Sequence, residues 1–237
     1  MDFDFNCSNL SVWKENLSSY QLSIESLNKP NLISLDEFYR NELPSLIQQR
    51  NPNPYVTTAE LSKLMQWKLT RGKWRPRLLD FVSSLDDSLV KSASEKAFEA
   101  LPDLNKAVSE LTVLKGVGPA TASAVLAAYA PHVAPFMSDE AMEAALGNSK
   151  DYSLKQYLLF ANKLLAKAKE YSDANCGRFS SDVRILMELI SEGESFTASD
   201  VERALWSSAI RAKLPAKQSD PGTEIKTSKI SKRKRKR

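Results

Sequence analysis

The stretch Leu114-Lys115-Gly116-Val117-Gly118-Pro119-Ala120-Thr121-Ala122 carries residue types at a spacing that can hold an anion. A helix predicted to end near Leu114 meets two glycines that allow a tight turn, and Pro119 suits the first position of the next helix. The amides near Gly116, Gly118 and Ala120 are then left without helical acceptors. Outward amides reinforced by a helix dipole form a phosphate-binding site. Val117 points the other way and plugs the two helices together; Gly116, Val117, Gly118, Ala120 and Thr121 together are candidate DNA contacts. The same residues also read as a plain helix corner that binds nothing. A dinucleotide loop does not fit, because Thr121 stands where a third glycine belongs and no strand precedes it. With no GK[ST] triplet, a nucleotide-triphosphate loop does not fit either.

A second cluster lies upstream. Trp67-Lys68-Leu69-Thr70-Arg71-Gly72-Lys73-Trp74-Arg75-Pro76-Arg77 interleaves two tryptophans with five basic residues. Such a mixture suits a nucleic-acid strand, with cations for phosphate and an aromatic face for an unpaired base. Lys68, Arg71, Lys73, Trp74, Arg75 and Arg77 are therefore candidate DNA contacts. Trp67 instead continues the apolar stripe of Leu64 and Met65 and is expected in the core, with the neighbouring cations reaching water over their stems.

The elements that must position these residues are helices. Trp13, Leu17, Tyr20, Ile24 and Leu27 recur at helical spacing and predict an apolar stripe on one face of a single helix. Ser34 with Glu37, and Thr57 with Glu60, have the spacing of a capping box. Pro76 suits the start of a short helix, Asp87 starts another that runs through Leu101, and Asp103–Val113 precedes the turn. Pro119–Ala130, Asp139–Leu146, Leu154–Tyr171 and Ser181–Ser191 follow, and Thr197 with Asp200 opens a last helix to about Lys213. The expected fold is all-α, a compact multi-helix domain over residues 1–211 with the hairpin at residues 111–130.

The order hairpin, apolar helix, proline-containing loop, acid resembles the helix-hairpin-helix DNA glycosylase superfamily. Here it runs as Gly116–Thr121, Ala122–Ala130, the loop Pro131–Ser138 with Pro135, and Asp139, so the match covers residues 111–146. The resemblance implies DNA as partner and a helical fold; many of the family's lyases carry a four-cysteine cluster, which this chain lacks, and no metal or organic cofactor is expected. It also implies a catalytic Asp139, which stabilises the positive charge on the sugar as a damaged base departs, or helps activate water. Adjacent Glu140 can take either part. Bifunctional members carry a lysine in the second half of the hairpin. The matching position is Ala120, so the resemblance implies a monofunctional DNA glycosylase of base-excision repair. The loop VAPFMSD departs from the family's usual Val-Asp-Thr-His flavour. From the residues alone, Asp139 is also a stabilising acid in a first helical turn after the N-cap Ser138. The alternative function is a non-catalytic nuclear DNA-binding or scaffold protein that keeps the hairpin.

Composition narrows the field. Two cysteines, Cys7 and Cys176, and the single His132 cannot assemble a four-thiolate cluster, a histidine metal site or a Ser/His/Asp triad. No segment offers about 20 continuous apolar residues, so no membrane partner is expected. The net charge is +4, and residues 226–237 hold eight Lys or Arg and no acid, so residues 1–225 carry −4. Residues 212–237 are expected to be a disordered basic tail. Within it, Lys232, Arg233, Lys234, Arg235, Lys236 and Arg237 read as a nuclear-import signal, which implies an import receptor as partner and a nuclear location. A monomer is expected.

Overall fold

A computed structural model of the protein describes residues 3–147, 151–175 and 196–213, and these are helical, with no strand among them. The helices are α1 (Leu10–Ser18), α2 (Tyr20–Ser26), α3 (Leu32–Glu37), α4 (Leu43–Gln48), α5 (Thr58–Arg71), α6 (Pro76–Ser83), α7 (Asp87–Glu99), α8 (Leu104–Thr112), α9 (Pro119–Tyr129), α10 (Asp139–Leu146), α11 (Leu154–Asn175) and α12 (Ala198–Lys213). A π-helical turn, Phe38–Glu42, joins α3 to α4. The predicted helix over Ser181–Ser191, Cys176, and the tail with Lys232–Arg237 lie outside the described residues.

The centre of the fold is α9. Its small apolar residues give it no polar face, and Thr121 through Ala128 are all buried, as an all-round apolar helix requires. Around it pack α4, α5, α7, α8 and α11, while α12 bridges α1, α2, α10 and α11. The buried side chains of all twelve helices form one continuous cluster. No described helix is long and apolar enough to cross a membrane.

Local signals set most helix ends. Thr57 and Glu60 form the reciprocal capping box at the start of α5, and Thr197 and Asp200 exchange the equivalent bonds before α12. Asp86 and Asp103 cap α7 and α8 through their carboxylates. Two expectations fail. The stripe from Trp13 to Leu27 is carried by two helices, because the Ser18 and Ser19 hydroxyls both donate to the Glu15 carbonyl (2.8 and 2.9 Å) and compete with the helical ladder. Ser34 does not cap a helix either. Helix α3 already begins at Leu32, after Asn31 in the left-handed region, and the Ser34 hydroxyl donates back to the Asn31 carbonyl.

Candidate functional site: a cationic cavity beside the α8–α9 turn

The turn between α8 and α9 is held from inside. Leu114 and Val117 are buried, and the Val117 amide donates to the Leu114 carbonyl at 3.0 Å. Gly116 has φ +89, and a Cβ there would stand 2.9 Å from the Cβ of Phe81 on α6. Only glycine satisfies both the left-handed backbone and this contact. Gly118 is extended, with nothing within 4 Å of where a Cβ would lie. Among the described residues the amides of Gly116, Gly118 and Ala120 donate to no acceptor of the chain. Val117, buried with its amide spent on Leu114, is a correction to the candidate DNA contacts, and so is Thr121. Its side chain is buried and its amide already donates to the Gly118 carbonyl at 2.9 Å, so it offers a bound anion neither group.

The facing wall is the C-terminal end of α5. Lys29, on the segment after α2, donates to the carbonyls of Thr70 (2.6 Å), Arg71 (3.2 Å) and Gly72 (3.1 Å). A cation on the terminal carbonyls satisfies them and complements the helix dipole. It thereby fixes where the chain carrying Lys73 and Arg75 leaves the helix. Trp67 is in the core, stacked on Tyr39 at 3.5 Å and donating its indole N–H to the buried Asp36.

Arg71 is another correction. Its side chain is 2% exposed and pairs at 3.0 Å with the equally buried Glu202 of α12. The rings of Tyr20, Trp67, Phe136 and Trp206 surround it, the last centred 4.1 Å away. Burial opposes the guanidinium charge, but Glu202, with Tyr20 and Asp36, outweighs it and raises the pKa. Arg71 is thus an internal tie between α5 and α12 rather than a phosphate contact, because its charge is already matched where water cannot reach.

The third wall carries Asp139. The Ser123 hydroxyl of α9 accepts the Met137 amide at 3.0 Å and donates to the Ala120 carbonyl at 3.1 Å, locking the loop before α10 to the helix after the turn. Ser138 occupies the N-cap of α10 without using its side chain as a cap. Its hydroxyl donates to Glu202 instead. Burial raises the Glu202 pKa, and the donors Arg71 and Ser138 offset only part of that rise. Asp139 itself is exposed and accepts the Tyr152 hydroxyl at 2.7 Å. Burial, then this bond to Asp139, pushes the Tyr152 phenol up to about 12.

Between these walls lies a cavity of about 590 Å³, in the range of small-molecule sites. It is lined by the turn residues Gly116, Gly118, Pro119, Ala120 and Thr121, by Asp139, Glu140 and Tyr152, and by six basic residues: Lys29, Lys68, Arg71, Lys73, Arg75 and Lys213. Arg71 is neutralised by Glu202 and Lys213 approaches Glu140 at 3.3 Å. The excess positive charge therefore comes from Lys29, Lys68, Lys73 and Arg75. Burial, then the nearby Arg75, lowers the Lys68 pKa to about 8, against the pull of Asp139. Trp74 (57% exposed) and Arg77 lie on the surface and do not line the cavity.

The structure thus brings together the turn, Lys68, Lys73, Arg75 and Asp139, which are separated by up to 71 positions in the chain. Sequence reading missed Tyr152, Lys29, Ser123 and Glu202. None sits in a motif, and each acquires its role only through a partner distant in the chain. Among the described residues no three His, Cys, Asp or Glu side chains converge as metal ligands. Compared with family models, curated proteins and solved structures, the chain matches none.

Proposed function

We propose that this protein binds DNA through the α8–α9 turn, read as a helix-hairpin-helix, and cleaves the N-glycosidic bond of a damaged base in base-excision repair. One observation carries the reading. In a chain whose residues 1–225 carry −4, unpaired turn amides, the cations Lys68, Lys73 and Arg75, and an exposed carboxylate converge on one cavity. Amides and cations suit the phosphate backbone. Asp139 suits the cationic sugar that develops when the bond to the base breaks. The basic run at residues 232–237 supports import into the nucleus.

The test needs no knowledge of the base. A duplex carrying a cationic pyrrolidine in place of one sugar is compared with the same duplex carrying an uncharged abasic analogue. Wild type is expected to prefer the cationic duplex by tenfold or more, on the order expected of a transition-state mimic, and Asp139→Asn to lose that preference. Equal binding of both duplexes by wild type removes the enzymatic reading. It leaves the non-catalytic DNA-binding protein, which the engagement of Asp139 by the Tyr152 hydroxyl favours. Failure to bind either duplex removes both.

A further inference from the structure

We propose that a second cavity, walled by the π-helical turn, α5 and α12, binds the carboxylate of a small aromatic acid through Arg40, Arg203 and Ser199. This site is independent of the DNA-binding reading above and uses neither the α8–α9 turn nor Asp139.

The cavity measures about 210 Å³ and reaches the surface beside the exposed Gln48. Three guanidinium groups from three elements converge on it. The Cζ atoms of Arg40, Arg71 and Arg203 lie 4.9, 5.6 and 6.0 Å from the centre of one ring, that of Tyr20. Each arginine has a carboxylate nearby, but neutral donors share it. Asp36 accepts the Tyr20 hydroxyl and the Trp67 indole on one oxygen, and its other oxygen stands 3.8 Å from Arg40, beyond a hydrogen bond. Glu202 accepts Ser138 as well as Arg71, and Asp200 accepts Thr197 as well as Arg203. Donors therefore outnumber acceptors. Of the six buried side-chain polar atoms without a partner among the described residues, four belong to residues that line this cavity. They are the Nε atoms of Arg40, Arg71 and Arg203 and the Ser199 hydroxyl oxygen. A buried donor without an acceptor destabilises a fold, so four around one space call for an acceptor-rich ligand.

Charge and shape set the class of that ligand. The three guanidinium groups are matched by Asp36, Asp200 and Glu202, so the site holds no excess positive charge for a dianion such as inorganic phosphate. A single carboxylate suits it better, because its oxygens accept guanidinium donors in their own plane. Arg71 is already neutralised by Glu202 and is fully buried, which leaves Arg40 and Arg203, both partly exposed, as the charged contacts. Tyr39, Trp67 and Phe136 line the rest of the space and suit the faces and edges of an aromatic ring. At about 30 Å³ for each water, the cavity has the volume of about seven waters, the size of a single-ring aromatic acid.

Photolabelling tests this on the full chain. The protein is irradiated with 4-azidobenzoate, and labelled peptides are mapped by mass, with benzoate, benzamide or inorganic phosphate as competitor. The expected label is saturable and falls on residues 39–48, 127–131 or 199–203, which line the cavity. Benzoate should displace it at concentrations about tenfold or more below those needed of benzamide, its uncharged counterpart, as the loss of a charge-assisted hydrogen bond requires. Arg40→Gln and Ser199→Ala, each with an unchanged urea midpoint, should weaken labelling about fivefold or more. The wild-type map and the benzamide comparison decide the matter if either variant is unstable. Label confined to the basic tail or to the cavity beside the α8–α9 turn overturns the inference. Equal displacement by benzamide or phosphate, unchanged labelling of a folded Arg40→Gln protein, or no saturable label overturns it as well. None of these outcomes bears on DNA binding.

Discussion

Lys68→Met is expected to make the protein more stable at neutral pH. The substitution keeps an unbranched apolar stem and removes an ammonium group that burial and Arg75 disfavour. A lysine whose pKa falls from 10.5 in the unfolded chain to about 8 in the folded one opposes folding by about 3 kcal/mol when charged in both states. The sign follows from proton counting: between pH 8 and 10.5 the unfolded chain binds more protons than the folded one, so wild-type stability rises with pH across that window. The cost is complete below about pH 8 and has vanished above about 10.5. The variant should therefore gain up to about 3 kcal/mol at pH 7, a shift of about 1 M in urea midpoint for a slope near 3 kcal/mol/M, and much less at pH 10. Urea unfolding of both proteins at the two pH values decides the matter. A variant no more stable than wild type at pH 7, or a gain equal at both pH values, would refute the reasoning that Lys68 is held charged against its surroundings.

Other outcomes follow from the same geometry. Glu202→Ala strands the Arg71 charge in the core and should cost about 3–5 kcal/mol in chemical unfolding, whereas Arg71→Met with Glu202→Leu should recover most of that loss. Gly116→Ala forces a side chain into a left-handed backbone against Phe81 and should cost about 1–3 kcal/mol or more. Gly118→Ala has open space, so it should unfold like wild type yet weaken DNA binding severalfold in anisotropy titrations, because the new methyl stands beside the free amides. Raising the pH through about 8 removes the Lys68 charge. DNA affinity should then fall and the slope of log affinity against log salt should lose about one unit, while Lys68→Met should show the shallower slope at every pH.

The amino-acid sequence by itself determined what depends on near neighbours along the chain. Helical periodicity and caps placed α5 through α10 to within a few residues, because the hydrogen bonds and the apolar face of a helix are written within three or four positions. The turn at Gly116 was legible for the same reason, since a glycine pair before a proline dictates its own backbone. Trp67 belonged to the core because its spacing from Leu64 is helical. What the chain could not declare was which charges would face one another. Arg71 looked like its neighbours Lys73 and Arg75, and only the arrival of Glu202, 131 positions later, made it a buried tie. Lys68 stood in the same basic run, and only packing of α5 against the loop before α10 gave it a wall, a nearby carboxylate and a weakened hold on its proton. Tyr152 and Asp139 carried no shared motif and met only when α10 and α11 packed. Electrostatic character depends on burial and on partners remote in sequence, so the tertiary structure alone decided which cations are structural and which remain open to a ligand.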